Sequence, residues 1–258
     1  CLDVGHGQAI VVQLPGTKTI LFDAGSMHHR DIGSRIVMPF LNSVGIAELE
    51  AIIVSHGDID HVNGIPEIVD GCTIRHVYAH EAFCAQALSG ATVRLLIESL
   101  GAGGHQIERL PAALDAGAAT IRPLWPPRDP SSTHQLSDND RSLVLLIEFA
   151  GAKILLCSDI EEFAQQQLQV RYPDLRADIV VVPHHGSATT LDEGFLESLG
   201  PAVQICSCDR KQYARRGHSA EEENTGGFAT ARNGAISVCV ERSGMVSTAQ
   251  QIEHPEGD

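Results

Sequence analysis

The chain has 258 residues, 43% hydrophobic and 20% charged, with a formal net charge of −15. That is enough apolar sequence for one large core or two small ones, and the acidity argues against a broadly basic nucleic-acid surface. No apolar run reaches the roughly 18 residues a membrane-spanning helix needs, and seven cysteines without a CxxC pair point to reduced, packed thiols and a cytoplasmic location.

The opening "CLDVGHG" runs directly into a strand-like segment without a signal peptide, as expected of a piece cut from a longer protein. Short apolar runs predict strands over 9–14, 19–23, 51–55, 142–149, 153–159, 178–183, 203–207 and 235–240. Helical spacing falls between them, at 33–43, 64–70, 82–100, 161–171, 190–198 and 219–231. Strands apolar on both faces suggest sheets covered by helices. The Gly-, Pro- and Ala-rich region 101–137 gives the weakest signal, with 126–140 read as loop. Residues 1–245 read as one domain and 246–258 as a polar C-terminal tail.

The two halves share a plan. "AIVVQLPGTKTILFDAG" is a strand, a glycine turn and a second strand ending in Asp23; "LVLLIEFAGAKILLCSD" repeats this and ends in Asp159. Each is followed by a helix and then an apolar strand ending in histidine, at His56 and at His184 and His185. The repeat would bring both acidic ends and both histidine ends to one edge of a two-sheet core.

Between those ends lies "SHGDIDHVNG", which places His56, Asp58, Asp60 and His61 within six residues. Buried carboxylates and imidazoles are costly without partners, and divalent cations compensate all four. His56 and Asp58 form one half-site and Asp60 and His61 another, joined by the distant Asp159 and His184; nitrogen and carboxylate donors suit zinc, manganese or iron.

"HGDIDH" resembles the HxHxDH motif of the metallo-β-lactamase fold, with Asp58 in place of the middle histidine. With "LDVGHGQA", "LSDNDRSLVLLIE", "LLCSD" and "VVPHHGS", it resembles the metallo-β-lactamase-type domain of the ComEC competence proteins, a family of DNA-uptake channels. The resemblance implies an α/β fold, a four-layer αββα sandwich of two similar halves with a binuclear metal site at one edge. It implies His56 and Asp58 on one metal, Asp60, His61 and His184 on the other, and Asp159 bridging them. Asp23 would orient the site from behind, and His185 and Ser187 would lie near substrate.

Several residues depart from the family pattern. His6 and Gln8 stand where the family has Gln and Asp, Asn63 replaces a glycine, and the late Tyr-Gly-His-Pro motif becomes "YARRGHS", containing His218. The segment "SDNDRS" offers no third histidine for the first metal, leaving Asn139 to touch the site or orient Asp58. Oxygen-rich coordination then favours Mn²⁺ over Zn²⁺ for the two divalent ions.

The densest positive cluster is "DRKQYARRGH", which reads either as a solvated loop or as a phosphate-gripping loop with Arg215 and Arg216 and with Tyr213 available for base stacking. His28 and His29 read as exposed loop residues. The expected function is a metal-dependent DNA phosphodiesterase, acting on single strands as the soluble domain of a larger bacterial membrane-channel protein. Asp60 or Asp159 would hold the attacking hydroxide, and His218 or His185 would serve the leaving oxygen. The rivals are a lactonase or thioester hydrolase on the same site, or a non-catalytic regulatory module.

Overall fold

The computed structural model describes residues 1–16, 18–86, 90–129, 136–216 and 226–251. Strands β1 (Ala9–Gln13), β2 (Thr19–Ala24), β3 (Glu48–Val54), β4 (Thr73–Ala79) and β5 (Ile107–Arg109) form one sheet in that spatial order. The second sheet contains β6 (Leu114–Ala116), β7 (Ala119–Trp125), β8 (Val144–Phe149), β9 (Ala152–Leu156), β10 (Ile179–Val181), β11 (Val203–Cys206) and β12 (Gly227–Ala229), ordered β12-β11-β10-β9-β8-β7-β6. A separate hairpin joins β13 (Ala235–Val240) to β14 (Val246–Gln251).

Strand alternation builds three apolar layers. In β3, Ile52 and Val54 face one cluster, while Ala51 and Ile53 face the cluster between the sheets. In β8, Leu145 and Ile147 enter that same inner layer, and Val144 and Leu146 turn outward. Both outer faces are closed by helices. Val93, Leu96 and Leu100 of the helix Ala91–Ala102 cover the first sheet, and Ala164 and Leu168 of the helix Glu162–Arg171 cover the second. The result is the αββα sandwich, stabilised by burial on both faces of each sheet.

The repeated plan is visible in the pairing. β1 and β2 are antiparallel, and β2 then runs parallel to β3; β8 and β9 are antiparallel, and β9 runs parallel to β10. Parallel pairing puts the C-terminal ends of β2, β3, β9 and β10 on one edge, where Asp23, His56, Asp159 and His185 emerge.

Some elements differ from the sequence expectation. Region 101–137 contributes β5, β6 and β7; β7 carries Pro123 at a register irregularity, which obscures its strand pattern. The expected helix over 82–100 is two helices, Glu81–Gln86 and Ala91–Ala102, the second beginning after Gly90. Arg210–Arg216 is a helix instead of a loop. Gly227–Ala229 is a strand where a helix was expected. Residues 246–251, expected to open a polar tail, pair as β14, and Val246 packs against the inner layer. All seven cysteines are free thiols. Among the described residues, no helix is long and apolar enough to cross a membrane.

Candidate metal centre

The strand ends are turned inward by unusual backbone. Asp23, Ser158, His184 and His185 have φ of 56°, 50°, 48° and 54°, in the left-handed region that residues bearing a Cβ seldom occupy. Close backbone approach fixes the Asp60 segment. A Cβ on Gly25 would stand 2.3 Å from the carbonyl carbon of Asp60 and 2.3 Å from the nitrogen of His61, so only glycine fits there.

Asp23 is wholly buried and anchors the site. It accepts hydrogen bonds from Ser55 N (2.8 Å), Ser55 Oγ (2.6 Å), Gln8 Nε2 (2.9 Å) and His61 Nδ1 (2.8 Å). Ser158 Oγ in turn donates to Ser55 Oγ at 2.7 Å, linking the two halves.

These bonds set the histidine tautomers. His61 Nδ1 donates to a carboxylate, and His185 Nδ1 donates to the Ser207 carbonyl at 2.8 Å. The Ser55 hydroxyl proton is committed to Asp23, so His56 Nδ1 donates to Ser55 Oγ at 3.0 Å. Each of the three rings therefore presents an Nε2 lone pair to the site. His61 Nε2 lies 3.1 Å from Asp159 Oδ1. His185 Nε2 lies 3.3 Å from Asp159 Oδ2 and 3.5 Å from Asp60 Oδ2. His56 Nε2, His61 Nε2, His185 Nε2 and Asp159 Oδ1 are buried without hydrogen-bond partners.

Lone pairs facing carboxylates require positive charge between them. Protons supply it in the metal-free protein. Burial disfavours charge on His185, but Asp159 and Asp60 outweigh it and push its pKa up to about 10. Burial likewise works against ionised Asp60, yet the His185 hydrogen bond and the His61 charge hold it down to about 2. His61 is raised and Asp159 lowered in the same way, against their burial. A divalent cation satisfies the same orphaned atoms directly, and ligating atoms of Asp60, His61, Asp159 and His185 all lie within 4.8 Å of one another. The donor set fits a metal, with hydrogen bonds from behind each ring of the kind that orients ligands.

Residues 2–200 match the Metallo-beta-lactamase superfamily. The chain belongs to that superfamily. Its members are in general metal-dependent hydrolases. ComE operon protein 3 of Bacillus subtilis (strain 168) is 24% identical over 231 residues, covering 84% of this chain and 29% of that protein. Recombination protein 2 of Haemophilus influenzae is 29% identical over 211 residues, covering 81% of this chain and 24% of that protein. The chain thus spans less than a third of the length of these relatives. Zn(2+)-bound PqqB from Methylobacterium extorquens shares the fold with a TM-score of 0.54 at 13% identity, covering 87% of this chain and 85% of that one.

The metallo-beta-lactamase frame leaves several expected residues in different surroundings. The structure brings His185, not His184, to Asp60 and Asp159; His184 Nδ1 instead bonds Thr190 Oγ1 at 3.0 Å and lies 3.7 Å from Glu161. The left-handed pair at 184 and 185 explains the exchange, because it reverses which ring faces the edge. Asp58 sits at the start of the helix Ile59–Val62 without a capping bond. Its exposed carboxylate lies 3.6 Å from His56 Nε2, making a second, more open half-site. Asn139 does not reach Asp58; its amide donates to Glu161 at 3.1 Å. The following residue, Asp140, accepts from the backbone of Glu161 and Ala164 at the start of the helix Glu162–Arg171.

Ser187 is half-buried and bonded to Thr189 Oγ1 at 3.1 Å. Tyr213 packs against Cys206, Cys208 and Ala229, which removes part of its ring from base stacking. Arg215 is exposed, and the Arg216 side chain lies over Gly186, where a Cβ would meet its Nη1 at 2.7 Å. His218 lies outside the described residues. Sequence reasoning passed over Ser55 and Ser158, whose only signal is their place beside His56 and Asp159, and noted Gln8 only as a departure from the family pattern. It also passed over Glu161 and Asp209 as neighbours of the site, and noted His6 only as a departure from the family pattern.

Proposed function

We propose that this domain is a metal-dependent phosphodiesterase that cleaves DNA, single strands in particular, as the soluble part of a membrane DNA-uptake protein. The observation that carries this reading is the convergence of three oriented Nε2 lone pairs with Asp60 and Asp159, beside a helix bearing Arg210, Lys211, Arg215 and Arg216. The competence relatives supply the biological setting, and DNA and a membrane channel are the proposed partners.

Two divalent cations, with manganese favoured, would polarise a phosphoryl oxygen and lower the pKa of an attacking water. The chain's own residues do the rest. Asp60, His61, Asp159 and His185 would hold one cation, and His56 and Asp58 would offer donors for a second. Asp23 and the Ser207 carbonyl keep the rings of His61 and His185 in place. Arg215 and Arg216 grip phosphates away from the reacting one. The overall charge of −15 makes this local basic helix important, because the remaining surface repels a polyanion.

The test is incubation of the purified protein with end-labelled single- and double-stranded DNA, with Mn²⁺, with Zn²⁺ and with chelator. Metal-dependent cleavage of single strands is expected. Stable DNA under every metal condition, with hydrolysis of lactone or thioester substrates instead, would replace the nuclease reading with the small-molecule one.

A further inference from the structure

We infer that His6, His28 and Asp209 form an additional cation site of two nitrogens and one carboxylate, separate from the Asp60, His61, Asp159 and His185 centre. One ligating atom from each of the three side chains lies within 4.8 Å of the others. His28 Nε2 stands 3.3 Å from Asp209 Oδ2, and the His6 and His28 rings meet edge to face with centroids 5.9 Å apart. The residues come from three segments: the N-terminus, the loop after β2 and the loop after β11.

The corner is held in place by its own hydrogen bonds. Met27 N donates to His6 O at 2.7 Å, tying the histidine loop to the N-terminal segment. Ser26 Oγ donates to Val4 O at 2.7 Å. Asn63 Nδ2 donates to Ser26 O and His29 O at 2.8 and 3.1 Å, and Asn63 Oδ1 accepts from Ser26 N at 3.0 Å. On the other side, Asp209 Oδ1 accepts from Gln212 N at 2.7 Å, which leaves Oδ2 facing His28. Gln212 Nε2 lies 3.2 Å from His6 Nε2.

His6 supplies one nitrogen donor, and Asn63 fastens the loop that presents His28. A site with three protein ligands of this kind and an open position suits Zn²⁺. It borders the first centre, since His6 Nε2 is 3.4 Å from Asp60 Oδ2. On the DNA reading, a cation there would neutralise a phosphate next to the scissile one; counting bound zinc tests the site whether or not that reading holds.

The experiment is calorimetric titration of metal-stripped protein with Zn²⁺ alone, with bound zinc counted by elemental analysis after desalting. The wild type is compared with His28→Ala, His6→Gln, Asp209→Asn and, as a control, His29→Ala. His28 is largely exposed, so its truncation leaves the core intact. The wild type and His29→Ala are expected to hold one more zinc per chain than His28→Ala, and His6→Gln and Asp209→Asn to lose the same equivalent. Equal zinc counts in the wild type and His28→Ala, or an equal loss in His29→Ala, would overturn the site.

Discussion

Asp23 and His61 share a 2.8 Å hydrogen bond in which neither side chain is exposed to solvent. Asp23 takes no part in the ligand cluster, so its effect passes through the ring it holds. Asp23→Asn exchanges a charged acceptor for a neutral one and is expected to weaken metal binding about 10- to 100-fold. Calorimetric Mn²⁺ affinity checks this, and unchanged affinity would show that His61 is positioned by packing alone.

Asp60→Ala and Asp159→Ala should each reduce DNA hydrolysis to background while circular dichroism stays near that of the wild type. Both carboxylates lie beyond strand ends, so truncation empties the site without opening an apolar layer. Turnover retained at saturating Mn²⁺ would count against the shared-metal arrangement.

The Arg215→Ala/Arg216→Ala double variant should bind single-stranded DNA more weakly, with the slope of log affinity against log salt shallower by about 0.7 per lost phosphate contact. Fluorescence anisotropy across a salt series measures both. If affinity and slope stay fixed, the helix is only solvated surface.

If two cations bind, as proposed, the two half-sites should differ in affinity. Asp60, His61, Asp159 and His185 are all buried, whereas Asp58 is half exposed and its partner His56 offers one nitrogen. The His56/Asp58 position should empty first on dialysis, and its oxygen-rich, water-accessible shell should make Mn²⁺ a better activator than Zn²⁺. Metal titration paired with activity decides this; two equal, tight zinc positions with full zinc-supported activity would refute it.

Stability of the chelated protein should fall as the solution becomes alkaline. His185 has a folded-state pKa of about 10 against an ordinary 6.5. Its contribution is fully present below the lower value and is lost as pH rises through the higher one. Asp60, lowered from 3.8 to about 2, contributes above the ordinary value and loses that contribution as pH falls through about 2. Thermal melts between pH 6.5 and 10 with chelator should decline more steeply than those with Mn²⁺, which occupies the lone pairs directly. Parallel profiles would show that the imidazoles are not the source.

Much of this architecture was legible because its signals are local. Strands such as β3 and β8 are continuous apolar runs, and the Asp23 and Asp159 repeats mark equivalent hairpin ends. β4 was missed because Arg75 and His76 interrupt its apolar pattern, and β14 because its only large apolar residue is Val246. The exchange of His184 for His185 rests on two left-handed residues that no spacing rule reveals. Asn139 was drawn to the site by its place in the motif, but Glu161, 22 residues later, claims its amide. The His6, His28 and Asp209 corner joins residues up to 203 positions apart, beyond any periodicity.

The ligand cluster takes Asp60 and His61 from the first sheet's half of the chain and Asp159 and His185 from the second's. Neither half carries a complete set, so tight binding exists only while the two sheets remain docked across their shared inner layer. A cation bound there would thus report on assembly as well as serve chemistry. Any partner that pries the sheets apart would discharge a bound metal, and any that presses them together would hold it, which would join metal occupancy to the mechanical state of the sandwich.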